Sequence, residues 1–214
     1  ARDAFAAVST GDPSMLTLAS RVSLLHALVE LNADDPYFRR SDRWRTFSAS
    51  GFVTSEIVDS LRPILVHPGD GHLRELLLEL LVGSPVVSDL WSELETILFD
   101  ASADLGPRSA ALSCLLKDTA YDPADALRRL AASGAVDALR LASHILLNLG
   151  DNAPYEHILA VLNAAISLYP TDRSRRSRDF QERHFLKRLV REFDQATCIR
   201  LLNDLTAALC CTCG

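Results

Sequence analysis

An all-α chain built as an α-solenoid of antiparallel helix pairs is the fold class this sequence predicts, and three observations predict it. One helix–turn–helix pattern occurs three times, over 71–100, 105–134 and 136–170. Its landmarks keep their order: an arginine near the start of the first helix (Arg74, Arg108, Arg140), an apolar residue seven positions on (Leu81, Leu115, Leu147), and a proline opening the second helix (Pro85, Pro123, Pro154). The arginines step by 34 and 32 residues and the prolines by 38 and 31, the period of stacked helix pairs. Finally, Leu and Ala carry the apolar load while aromatics make up 7% of the chain, which suits close packing of helices.

The chain is expected to be one helical-repeat domain over 1–214, with an irregular part at 1–70, the three repeats, and a terminal helix pair at 178–211. From Ser14, an expected N-cap, MLTLASRVSLLHALVELN is apolar nearly all round: Leu18, Val22, Leu25 and Leu28 form one stripe, Leu24, Ala27 and Leu31 another. Such a helix belongs between neighbours. The turn ADDPYF breaks it at Pro36. Asp34 and Asp35 fit a solvated turn better than a metal site, because no carboxylates follow at calcium-loop spacing.

Residues 39–53, RRSDRWRTFSASGFV, interleave arginine with aromatics, a pattern that can stack on single-stranded nucleic acid. The simpler expectation is that Trp44 and Phe47 cover the core while Arg39, Arg40, Arg43 and Arg45 face water. SEIVDSLRPILV (55–66) follows as an amphipathic helix, apolar at Ile57, Val58, Leu61, Ile64 and Leu65, with Pro63 expected to kink it; HPGDG (67–71) then turns.

Within the repeats, proline fits the first helical position because its missing N–H has no intrahelical partner there and its φ is already near the helical value. Ser84 and Asp122, each preceding a proline, are expected to cap the next free N–H groups, and Gly83 and Gly150 to stop helices in a left-handed conformation.

Beyond Pro170 the charge shifts. Eight basic residues (Arg173, Arg175, Arg176, Arg178, Arg183, Lys187, Arg188, Arg191) face three acidic ones (Asp172, Asp179, Glu182), a local balance of +5 in a chain whose total is −6, which leaves −11 for the rest. Arg173, Arg175, Arg176 and Arg178 therefore form the candidate partner-binding patch. The competing expectation is a polar linker and a helix from about 178 to 193 whose stripe, Phe185, Leu186, Leu189, Val190 and Phe193, joins the core. Asp194 then begins a last helix, QATCIRLLNDLTAALCC.

No residue pattern here carries recognisable catalysis. There is no GxxxxGK[ST], GxSxG, HExxH or glycine-rich dinucleotide loop, so no nucleotide cofactor is expected. Cys210, Cys211 and Cys213 lack the CxxC knuckles of structural zinc and read as thiols at a chain end; Cys114 reads as a core residue. An odd set of five cysteines does not resemble a secreted disulfide framework and fits a reducing cytoplasm. His67 and His72 flank PGDG with Asp70 between them, first of all a turn; His26, His144 and His157 fall in helices as ordinary half-buried histidines. No catalytic, cofactor or metal residue is therefore assigned.

The 20 arginines against two lysines (Lys117, Lys187) point to a GC-rich genome, and the net charge of −6 argues against a whole-surface polyanion binder. No apolar run reaches the ~18 residues of a membrane span, and no signal peptide is recognisable. The chain begins at Ala1 rather than Met, as a piece of a longer polypeptide would and as a chain whose initiating methionine is removed before alanine also would.

The succession GDPSML, ASRVSLLHALVEL, SDRW, GFVTSEIVDSLRPIL, HLRELLLELL and PRSAALSCLL, over about 10–150, resembles the HEAT-like helical region that follows the nucleotide-binding domain of bacterial NACHT and related STAND NTPases. Arg21 before LLHALV and the arginine-started helices at Arg74 and Arg108 carry the resemblance. It implies a HEAT/armadillo-like array that senses a ligand or holds an ATPase off, with antiphage defence the usual role. This chain has neither the phosphate-binding loop nor the acidic motif of the NTPase part, so no catalytic residue transfers. The expected function is a non-catalytic interaction or sensor module, its partner a protein or other domains of the same parent chain. The alternatives are a HEAT-like nucleic-acid-binding protein or DNA glycosylase, which needs a basic face with aromatics and a carboxylate, and an oligomerising scaffold.

Overall fold

The computed structural model describes residues 12–39, 51–67, 71–167 and 193–210, with Ala7 and Arg191. Among the described residues the chain is all-helical, with nine α-helices, four short 3-10 turns and no strand. It divides into two compact units, residues 1–121 and 122–214, a boundary that falls between the two helices of the 105–134 segment.

The first unit contains α1 (Leu18–Asp34), α2 (Val58–Val66), α3 (Leu73–Leu81), α4 (Trp91–Phe99) and α5 (Leu105–Lys117). Packing skips one element at a time: α1 touches α3, α3 touches α5, and α2 touches α4, while α2–α3 and α4–α5 are neighbours in sequence and in space. The middle of the core is α3. Leu73, Arg74, Leu76, Leu77, Leu78, Leu80 and Leu81 are all buried there, leaving only Glu75 and Glu79 partly in water. A helix of good formers surrounded by others gains roughly 1.5–3 kcal/mol for each leucine taken out of water.

The inner position anticipated for α1 thus belongs to α3. In α1 the buried set is Arg21, Leu25, Leu28 and Leu31, one face only, whereas Leu18 and Val29 are exposed. Its N-cap also differs from the expected Ser14. Residues Pro13–Met15 form a 3-10 turn, and Thr17, extended in its backbone, accepts the N–H of Ser20 at 3.2 Å. A cap needs a β-region backbone two or three residues before the donor it satisfies, and Thr17 meets that condition.

Ser84 and Pro85 likewise do not open α4. Pro85 lies in a turn, a 3-10 segment (Val87–Leu90) intervenes, and the buried Ser84 hydroxyl donates to the carbonyl of Val53 at 2.9 Å, tying this turn to the chain before α2. Gly83 does take the left-handed value expected of it, φ +76. Pro63 lies inside α2, and Ile57, Val58, Leu61 and Leu65 are buried as the periodicity requires.

Gly71 shows why a turn precedes α3. Its φ is +113, and a Cβ there would lie 2.1 Å from the Pro36 carbonyl oxygen, which accepts the His72 N–H at 2.8 Å. Only glycine lets the 35–39 turn approach so closely.

The second unit contains α6 (Ala124–Ser133), α7 (Val136–Leu149), α8 (Tyr155–Ser167) and α9 (Gln195–Cys210). α6 packs on α7 and α8, α7 on α8, and α8 on α9. Here the prolines and glycines punctuate the helices, although Pro123 and Pro154 stand just before the first helical residue rather than on it, and Gly150, at ψ −128, departs from the left-handed helical stop expected of it. The Asp122 carboxylate accepts the Ala124 N–H at 3.0 Å before Pro123, and the Pro154 carbonyl takes the N–H groups of His157 and Ile158. Gly134 ends α6 at φ +64, left-handed, and Gly150 follows α7 at φ +53. Asp194 caps α9 by accepting the Thr197 N–H at 2.6 Å; that hydrogen bond holds its carboxyl below the usual aspartate value.

Candidate functional site

The candidate patch Arg173, Arg175, Arg176 and Arg178 lies outside the described residues, as do Arg40, Arg43, Arg45, Trp44, Phe47, Asp70, Cys211 and Cys213. The described arginines of the first unit are, however, structural. Arg21 reaches back from α1 to the carbonyls of Pro13 at 2.8 Å and Phe52 at 2.6 Å, and also to that of Gly51. Arg74, at the start of α3, donates to the Val66 carbonyl at the end of α2 at 3.2 Å; Arg108, at the start of α5, donates to the Leu98 carbonyl at the end of α4 at 3.0 Å. The last four carbonyls of a helix have no intrahelical donor, and a guanidinium can supply one through several N–H groups at once. Two of the three landmark arginines therefore act as clasps between consecutive helices. Arg140, the third, pairs with Asp137 at 3.2 Å on its own helix.

Arg39 corrects an expectation. It is buried rather than facing water, and holds Glu79 of α3 in a two-pronged pair, 2.8 and 3.3 Å. Burial raises the Glu79 carboxyl above its ordinary value, against the downward pull of Arg39 and with a push from Glu75. His72 is buried with its ring edge-on to Tyr37, centroids 5.3 Å apart, and His67 is exposed; residues 68–70 between them lie outside the described residues. His26 and His144 are exposed rather than half-buried. Among the described residues no three His, Cys, Asp or Glu side chains gather as metal ligands. Cys114 is fully buried, donates weakly to the Leu78 carbonyl, and its thiol is pushed up to about 12 by burial.

Two polar features were not anticipated. In the second unit the Arg200 guanidinium lies 3.6 Å over the Tyr155 ring, whose hydroxyl donates to Asp204 at 2.5 Å, pinning α9 to α8. In the first unit Trp91, the first residue of α4, and Tyr121, beyond α5, meet edge-to-face with centroids 5.6 Å apart and an angle of 69°. The indole N–H donates to Asp118 at 3.1 Å and the phenol to Glu95 at 3.0 Å. Beside them Arg62 of α2 bonds Glu93 and the Asp89 carbonyl and faces Asp59 at 3.7 Å. The sequence signal for this corner was two aromatics at helix boundaries, 30 residues apart, inside an acid-rich stretch. A groove of about 390 Å³ also runs between α1 and α2, lined by Leu25, His26, Val29, Glu30, Ser60 and Ile64.

Among the described residues no helix is long and apolar enough to cross a membrane. No protein-family model, no curated protein and no solved structure matches this chain.

Proposed function

We propose that this chain is a non-catalytic helical-repeat module, an α-solenoid of antiparallel helix pairs that binds a protein partner or other domains of its own parent polypeptide. The observation that carries the reading is the skip-one packing of α1, α3 and α5 beside α2 and α4, with the same arginine clasp closing successive steps at Arg74 and Arg108. Elements that each pack mainly on their neighbours build a surface that grows with every pair, and such surfaces serve recognition. A place beside the nucleotide-binding domain of a NACHT- or STAND-like NTPase extends this proposal. The purified chain is expected neither to retain ATP nor to hydrolyse it; turnover that a point substitution abolishes would overturn the reading. Salt-dependent duplex binding lost on replacing Arg175, Arg176 and Arg178 would instead favour the nucleic-acid alternative.

A further inference from the structure

Packing in the first unit leaves one side of α1 uncovered. Both α1 and α2 pack on α3, and between the two runs the groove of about 390 Å³, with Leu25, Val29 and Ile64 as its apolar lining and His26, Glu30 and Ser60 as its polar lining. The apolar wall continues along α1. Leu18, Val22, Leu25 and Val29 follow one another at steps of four, three and four, which keeps them on one side of the helix over about 16 Å. Leu25 is buried, Val22 is half-buried, and Leu18 and Val29 are 44% and 38% exposed. Arg21, Leu28 and Leu31, which hold α1 to its own unit, are buried on the adjoining face. The charges on the elements that form the groove have one sign left over. Arg21 is spent on backbone carbonyls and Arg62 on Glu93, Asp59 and the Asp89 carbonyl, whereas Glu30 and Asp34 of α1 and Glu56 just ahead of α2 are exposed carboxylates.

Deepening the interaction-module reading, on which this rests, we infer that the groove between α1 and α2 docks an amphipathic helix of a partner protein, apolar along one stripe and carrying lysine or arginine beside it. A seam at alternating steps of three and four matches the spacing of side chains on another helix, so the partner's apolar stripe enters between Leu18, Val22, Leu25 and Val29 and covers Ile64. An extended segment, whose side chains alternate every second residue, does not fit those steps. The exposed carboxylates choose the flank: a base opposite Glu30 or Asp34 is attracted, and an acidic helix is repelled. A second copy of this chain is disfavoured on the same ground, because pairing this face with itself brings together two surfaces of one sign.

The test uses the full chain and a designed helical peptide amide of Leu, Ala and Lys, its leucines at the same four, three and four steps with lysines flanking them. It is titrated by calorimetry at low salt and followed at the Val29 and Ile64 methyl resonances. Both resonances should move, and the same peptide with Glu for Lys, or with its leucines shuffled out of helical register, should bind at least tenfold more weakly. Val29→Asn, at a side chain already part exposed, and Ser60→Phe, which fills the groove, should each weaken binding at least fivefold. Glu30→Gln with Asp34→Asn should do the same, whereas Asp104→Asn with Glu156→Gln, an equal charge change at exposed sites elsewhere, should stay within twofold. Circular dichroism melts check that each variant is folded. Val29→Asn should leave the sedimentation coefficient of the chain alone unchanged; a dimer that it dissolves gives the groove to a second copy and overturns the inference. Absent binding, unmoved methyl resonances at saturating peptide, equal weakening by the two charge-matched pairs, or unchanged affinity of Val29→Asn and Ser60→Phe would each overturn it as well. Those outcomes leave the interaction-module reading standing, because that reading falls on ATP turnover, which this titration does not measure.

Discussion

Four buried arginines of the first compact unit and three more exposed ones of the second do opposite work. In the first, Arg21, Arg39, Arg74 and Arg108 are 1–8% exposed and spend their donors on backbone carbonyls or on a partly buried glutamate far along the chain. In the second, the side chains of Arg128, Arg129 and Arg140 are 24–69% exposed and pair with aspartates three or four residues away. The letter is the same and the helical spacing similar. What differs is whether a neighbouring helix end lies within reach of the guanidinium. Buried donors that satisfy carbonyls hold helices to one another, whereas exposed i,i+3 and i,i+4 pairs support only the helix they sit on.

Glycine offers the sharpest break. Gly71→Ala in the first unit must push a methyl into the Pro36 carbonyl and hold a positive φ, and should cost on the order of 4 kcal/mol, read as a shift in the urea midpoint. Gly134→Ala in the second unit has open space around it and only the left-handed backbone to sustain, about 1 kcal/mol. Equal losses at the two positions would remove the distinction between a docked turn and a free one.

The arginines come next. Arg108→Ala leaves the Leu98 carbonyl buried without its donor and opens a gap beside α4; about 3 kcal/mol is expected. Arg140→Ala gives up a half-exposed pair and should stay within about 0.5 kcal/mol. If Arg140→Ala proved as damaging as Arg108→Ala, the two arginines would be equivalent after all.

The Arg39–Glu79 pair makes the comparison dependent on pH. The folded state raises the Glu79 carboxyl, so it keeps its proton to higher pH than the unfolded chain does. The stability it contributes is fully present below the unfolded value and is lost as pH rises through the folded one. Urea midpoints measured from about pH 4 to 6.5 should therefore fall less steeply in Glu79→Gln than in the native chain. An unchanged slope would show that the ion pair, not burial, governs this carboxyl. The smallest readout is chemical: at pH 8 a maleimide should label Cys198 within minutes and leave Cys114 intact, since its thiol is pushed up to about 12.

How much of this was written in the chain varies with the kind of signal. Helix existence was legible, because leucines at helical spacing and the prolines and glycines between them act locally; the three segments over 71–100, 105–134 and 136–170 each fold as two helices. So were the caps at Asp122 and Asp194 and the burial of Cys114. The cap expected at Ser14 falls at Thr17, and Ser84 was misjudged, because a hydroxyl can serve its own turn or a distant carbonyl, and sequence does not say which is nearer. Arg39 was misjudged for the same reason: its partner Glu79 lies 40 residues on, and only the fold brings a carboxylate to it. The aromatic corner was missed because Trp91 and Tyr121 belong to two boundaries whose meeting depends on how α4 and α5 pack.

The arginine clasps also set an order for folding. Arg74 and Arg108 close loops of 8 and 10 residues, whereas Arg21 to Phe52 and Arg39 to Glu79 close 31 and 40. Chain entropy makes the 40-residue closure about 1 kcal/mol harder than the 10-residue one, so the α4–α5 hairpin should assemble early and the turn after α1 dock late. In kinetic terms, truncating Arg108 should slow refolding and truncating Arg39 should mainly hasten unfolding.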